Sequence, residues 1–247
     1  MSYLKYFNDE RLNLARGLMR NAESEHKFGA VPQMSINTTG TVWDLNDKLY
    51  PWSALDTANN VVLSTVNAAD NLKQITIVGL DNDYNPQTEV LTANSSSSVT
   101  SSNTYRRVFR AFVGNGGSTN VANINVTNGG SETVARITAG TGQTLMSVYT
   151  VKAGYTAYLM QGTATAQAGA DASGFMYVRY FGQNSFRAGH TFEVDGDGGQ
   201  YFYPFSTPIP IPEKSDIDVR VTTRSNNGRY TSAFCIILIE NDGTGLR

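Results

Sequence analysis

The chain has 247 residues, enough to bury a sizeable core as one large domain or two smaller ones. Charged residues make up 16% of it and the formal net charge is -2, which leaves no electrostatic footprint for nucleic acid. A single cysteine excludes an intramolecular disulfide framework and any multi-cysteine zinc site.

The first stretch, "MSYLKYFNDERLNLARGLMR", is charged throughout and lacks the apolar core of a signal peptide. No run approaches the roughly 18 apolar residues of a membrane helix, so synthesis in a cytoplasm and no membrane partner are expected. Asn8 is a good N-cap, Asp9 and Glu10 fill a first turn, and Phe7 can staple against Leu12. Leu14, Ala15, Leu18, Met19 and Ala22 recur at helical spacing, with Gly29 and Pro32 as stops. This predicts an amphipathic helical arm over residues 1–30. A single helix of that length is marginal alone in water. Leu14, Leu18 and Met19 are therefore expected to dock on a partner, or on the body of the same chain.

From about Thr41 the period changes to alternation. "QITIVGL", "TEVLTA", "TYRRVFRAFV", "ANINVTN", "TVARITA" and "TLMSVYTV" are separated by turn chemistry such as "GLDNDYN" and "TNGGSET". "TAYLMQGTATAQ", "SGFMYVRYF", "HTFEV", "GQYFYPF", "DIDVRVTT" and "TSAFCIILIE" continue the pattern. A dozen or more short strands without strand–helix alternation predict an all-β fold of jelly-roll or β-sandwich type. Two packed sandwiches are expected, over residues 31–142 and 143–247. Cys235, inside its apolar run, reads as a small buried hydrophobe.

"PFSTPIPIPEKSDIDVRV" joins two messages. Pro208, Pro210 and Pro212 fall at alternate positions, and proline cannot donate to a sheet ladder. Such a segment pairs on one side only and makes a blocked sheet edge, beside which a partner surface or plain protection from edge pairing is expected. Ile217, Val219 and Val221 then alternate with Asp216, Asp218 and Arg220, the pattern of a half-buried strand.

Catalytic signatures are missing. There is no G-x-S-x-G, P-loop or H-E-x-x-H, and the two histidines, His26 and His190, have no nucleophile or metal partner nearby in sequence. "EVDGDGG" offers Asp195 and Asp197 as Ca²⁺ candidates beside Glu193, and "GLDNDYNPQTE" offers Asp81, Asp83, Asn85 and Glu89. Neither follows the EF-hand pattern, and Asp-Gly and Asp-Asn are ordinary turn residues, so turns are the favoured reading and no cofactor is expected. A carboxylate-only glycosidase needs two acids beside an aromatic cleft, and Glu193 and Asp195 near "YFYPF" would supply them. Arg106, Arg107 and Arg110 form the basic cluster and suit a salt-bridged or interface face, with the acidic loops as counter-ions. In "FMYVRYF", Phe175, Tyr177 and Phe181 face one way and Met176, Val178 and Tyr180 the other. With no water-facing side, this strand needs a second cover, which makes Tyr177 an interface candidate.

The phrases "ITIVGLDNDYNPQTEVLTA", "YRRVFRAFV", "TNVANINVTNGG", "TLMSVYTVKAGYTAYLMQGTA" and "PIPIPEKSDIDVRVTT" resemble the β-rich virion structural proteins of tailed bacteriophages, marine phages in particular. The resemblance spans roughly residues 60–241 and leaves out the arm. It implies a non-enzymatic virion component made in the host cytoplasm, an oligomer, with a trimer favoured, and other virion proteins as partners. A head decoration or head fibre, or a neck or tail component, would each fit. A carbohydrate-binding module or adhesin with a glycan partner is the alternative from another class.

Overall fold

A computed structural model describes residues 9–114 and 119–242. Among these residues the one α-helix, α1 (Glu10–Ala15), is followed by β1 (Ala22–Met34) and β2 (Thr39–Thr41). Seven strands come next: β3 (Asn59–Ser64), β4 (Gln74–Leu80), β5 (Pro86–Thr92), β6 (Val99–Tyr105), β7 (Arg107–Val113), β8 (Ile124–Asn128) and β9 (Glu132–Ile137). The last seven are β10 (Val148–Thr150), β11 (Tyr155–Ala166), β12 (Ala172–Arg179), β13 (Arg187–Val194), β14 (Gln200–Ile211), β15 (Asp216–Thr223) and β16 (Gly228–Glu240). The chain is all-β, as its alternating pattern predicts.

One sheet runs β1-β16-β11-β14, and a second runs β10-β15-β12-β13 with β2 also on β15. Val148–Thr150 lies opposite 216–218 of β15, and Thr39–Thr41 lies opposite 220–222. β2 and β10 therefore lie end to end as the two halves of one interrupted strand. Counted so, two sheets of four strands face each other, the strand content of a jelly roll. The interruption closes on itself, because the Ser147 amide donates to the Val42 carbonyl at 2.9 Å. Inside it, the sheets β6-β3-β8-β9 and β5-β4-β7 make a second sandwich.

The arm requires a correction. Residues 22–30, expected in the helical arm, and residues 31–34, expected to open the first sandwich, together form one jelly-roll strand, with Ala22 opposite Ile239 and Phe28 opposite Ala233. The helix ends at Ala15 because Gly17 takes a left-handed φ of +66°. The Gly17 amide then donates to Leu14 O and the Leu18 amide to Asn13 O, a glycine-terminated helix end. The N-cap is Asp9, whose carboxylate accepts from the Arg11 and Leu12 amides at 3.0 and 3.1 Å. Phe7 and Asn8 lie outside the described residues. Gly29 does not stop a helix either. It lets β1 approach the seam closely, since a Cβ there would sit 2.3 Å from the Val42 carbonyl oxygen. Pro32 falls at a break in the β1–β16 register, where a missing donor costs no ladder bond.

β15 is the second departure. The alternation predicts a half-buried strand, yet Asp216 and Asp218 are as buried as Ile217 and Val219. The inserted sandwich covers the side that would otherwise meet water, and these carboxylates become the polar centre of the seam.

Candidate functional site

Two buried carboxylates cannot stay ionised without partners, and the seam supplies them. Arg107, at the start of β7 in the insert and 2% exposed, donates through Nε to Asp216 Oδ1 at 2.8 Å and through Nη2 to Oδ2 at 3.1 Å. Its Nη1 donates to the Leu55 carbonyl at 2.6 Å. Arg179, at the end of β12, reaches Asp216 Oδ2 at 2.6 Å, and Thr150 donates to Oδ1 at 2.6 Å. Burial alone would lower the Arg107 pKa, but Asp216 more than offsets it and holds it above the usual range. Asp218 accepts from Thr41 Oγ1, Trp52 Nε1 and Arg220 Nε at 2.8–2.9 Å. Burial nevertheless pushes its pKa up.

More ties cross the seam. Lys27 of β1 donates to the Phe109 carbonyl at 2.6 Å, and burial lowers its pKa to about 8. Tyr50 Oη donates to the Val108 carbonyl at 2.6 Å. Asp44 accepts from Thr138 Oγ1 and from the Leu145 amide, both at 2.7 Å, and burial raises its pKa to about 6.

Above the Arg107–Asp216 pair a cleft of about 210 Å³ opens. Asp56, Asp216, Arg107 and Arg179 line its inner part. Arg106, Lys214 and Tyr84 form one wall, and the turn after β12, from Tyr180 to Asn184, forms the rim. Tyr84 and Lys214 hold left-handed φ values of +67° and +61°, uncommon for side chains of their size. Arg106 lies 5.0 Å above the Tyr84 ring, and Lys214 5.2 Å from the Phe181 ring. Tyr84 and Phe181 meet edge to face at 5.8 Å.

The basic cluster thus splits. Arg107 finds its counter-ion in Asp216 and not in the acidic turns, Arg106 faces the cleft, and Arg110 lies over Phe112 at 5.0 Å.

The acidic loops are turns. Asp81 Oδ1 accepts from the Asp83 and Asn85 amides at 2.8 Å, and Glu89 accepts from the Ser102 and Asn103 amides. Asp195 accepts from the Gly199 amide at 3.1 Å, and Asp197 is exposed beside it. Among the described residues, no group of three or more His, Cys, Asp or Glu is placed to hold a metal ion. Glu193 ion-pairs with Arg224 at 3.4 Å on the exposed face of β13, opposite Phe192, which stacks on Tyr201. The strand's own alternation therefore separates that carboxylate from the aromatic ladder. His190 lies among the same rings, touching Tyr201 Oη, and burial lowers its pKa.

The interface candidates fall in different places. Leu14 is half-buried, whereas Leu18, 61% exposed, and Met19 project beyond the helix end. Among the described residues β14 is an edge strand paired only with β11, with Pro210 opposite Tyr158, Pro208 in a register break and Pro212 just past the strand end. Tyr177 is half-buried under the Arg220 guanidinium, 4.8 Å from its ring. Cys235 is half-buried on the outer face of the first sheet, not in the core, because it alternates with Phe234 and Ile236.

That outer face is built by register. One row crosses four strands as Phe28, Ala233, Thr163 and Phe202, and another as Ser24, Ile237, Tyr158 and Pro210. Phe28, Phe202 and Ile239 on it are exposed, Phe202 to 56%.

No protein-family model matches the chain, and no curated protein matches it. Among solved structures it is similar to a chain of infectious bursal disease virus, Gx strain. There the identity is 10%, with 90% of this chain and 72% of that chain covered, at a TM-score of 0.26. The VP2 subviral particle of infectious bursal disease virus gives 12% identity, coverage of 89% and 72%, and a TM-score of 0.24. The naturally empty top component of cowpea mosaic virus gives 11% identity, coverage of 76% and 85%, and a TM-score of 0.22. Likenesses this loose carry no functional argument, and the fold assignment rests on the strand pairing itself.

Proposed function

We propose that this chain is a non-enzymatic structural protein of a virus particle that works by packing on its neighbours. The observation that supports the reading is the outer face of the sheet β1-β16-β11-β14. Phe28, Phe202 and Ile239 are exposed on it and Ile237 is half-buried beside them, with no second sheet over this face among the described residues. An open aromatic and β-branched sheet face gains most by being covered, and a proline-bearing edge beside it keeps further strands from adding. A second copy is the proposed cover, in a trimer, placed on a phage head as a decoration or head fibre. A neck or tail position is the variant of the same reading.

Light scattering at tens of micromolar tests the oligomer, and sedimentation with capsids of the encoding virus tests the partner. The wild type is expected as three chains, and Phe28→Ser with Phe202→Ser as a folded monomer that no longer sediments with capsids. A wild-type monomer that also ignores capsids contradicts the proposal.

A further inference from the structure

We propose that the cleft over the Arg107–Asp216 pair binds a carboxylated sugar, a hexuronic acid or a similar acidic pyranose. It does not depend on the assembly reading, since a monomer can carry the cleft and an oligomer can lack the ligand.

The charge balance of the cleft is the first reason. Four cations line it, Arg106, Arg107, Arg179 and Lys214, against two carboxylates, Asp56 and Asp216, in a chain whose formal net charge is -2. Arg107 and Arg179 spend their charge on Asp216 and Asp56. Among the described residues, neither Arg106 nor Lys214 has a carboxylate within ion-pair distance. Arg106 Nε is buried without any acceptor, and its Nη1 reaches only Asn82 Oδ1, at 3.4 Å. Arg106 also lines the cleft, so an anionic oxygen arriving from outside can accept a charge-assisted bond from its guanidinium end.

The neighbours of these cations select the kind of anion. Phe181 is 58% exposed and stands at the rim beside Tyr180 and the side-chain amides of Gln183 and Asn184. An aromatic face accepts the C–H face of a pyranose, and amides and the half-exposed Asp56 carboxylate can pair its hydroxyls. The cleft volume of about 210 Å³ is below the roughly 300 Å³ at which sites for larger organic ligands begin, so a single ring suits it. Arg and Lys side chains serve phosphate as well as carboxylate, so the exposed Phe181 ring and the rim amides are what favour a sugar acid over inorganic phosphate.

Calorimetric titration of the full chain with methyl glucuronide, methyl glucoside and inorganic phosphate tests the assignment. The glucuronide is expected to bind with a Kd of order 1 mM, about tenfold or more tighter than either other probe. Arg106→Gln with Lys214→Gln should weaken it at least about tenfold while the melting temperature stays put. Phe181→Ala should weaken the glucuronide and leave phosphate unchanged. Phosphate binding as tightly as the glucuronide would mean an adventitious anion site only. That result, equal binding of the neutral glucoside, or no saturation by the glucuronide at tens of millimolar overturns the proposal.

Discussion

The two sandwiches are built from the same kinds of strand but closed by different kinds of pairing. In the inserted sandwich every strand of the two sheets comes from residues 59–137, as when β8 meets β9 across a short turn, with one isolated bridge from Phe112 to Gln143 outside that range. In the jelly roll, β1 pairs with β16, so Ala22 lies opposite Ile239 across nearly the whole sequence. The insert can close most of its loops locally, at small entropic cost, whereas the jelly roll closes its largest loop around the insert. The difference shows what the seam does: Asp216 and Asp218 make the jelly roll's burial depend on residues that only the insert and its flanks supply.

The largest effect comes from cutting that dependence. Arg107→Ala leaves Asp216 with Arg179 and Thr150 but removes its bidentate partner from a buried site, and a loss of about 3–5 kcal/mol is expected in urea unfolding. A change below about 1 kcal/mol would mean that the Arg107–Asp216 pair does not hold the two sandwiches together.

Asp44 sharpens the same comparison through pH. It sits where the chain leaves the jelly roll and binds Thr138 and Leu145, where the chain returns. Its carboxyl has a pKa of about 6 in the fold against an ordinary 3.8, so between those values the folded state holds more proton than the unfolded one. Stability from this group is fully present below about pH 4 and is lost as pH rises to 6. Asp44→Asn should remove that slope, about 3 kcal/mol across the window, in the difference between the two unfolding curves. Parallel curves for the two proteins would contradict the placement of Asp44.

Arg106→Gln is expected to have the smallest effect. Adjacent to Arg107 in sequence, Arg106 faces the cleft without an ion pair, so the unfolding free energy should change by no more than about 0.5 kcal/mol. A loss comparable to that of Arg107→Ala would make Arg106 part of the seam and not of a site.

Local chemistry made much of this legible. The change from helical to alternating period near Thr41 marks an all-β chain, and the proline spacing marks β14 as an edge, because a residue without an N–H restricts pairing wherever it lies. Gly17 was the available signal that the helix stops early, yet the apolar spacing through Ala22 outweighs it in a purely local reading. The burial of Asp216 and Asp218 could not be read from "DIDVRV", whose alternation is that of a strand with one wet face.

What the sequence by itself determined is the class of fold, the position of its turns and the blocked edge, since each depends on a residue and its near neighbours. The tertiary structure decided that residues 22–34 form a strand, because the ladder they join comes from β16. It also decided which arginine is ion-paired in the seam and which lines the cleft without a carboxylate partner. Arg106 and Arg107 are chemically identical, and only the arrival of Asp216 from the other sandwich, against one side of β7, separates them.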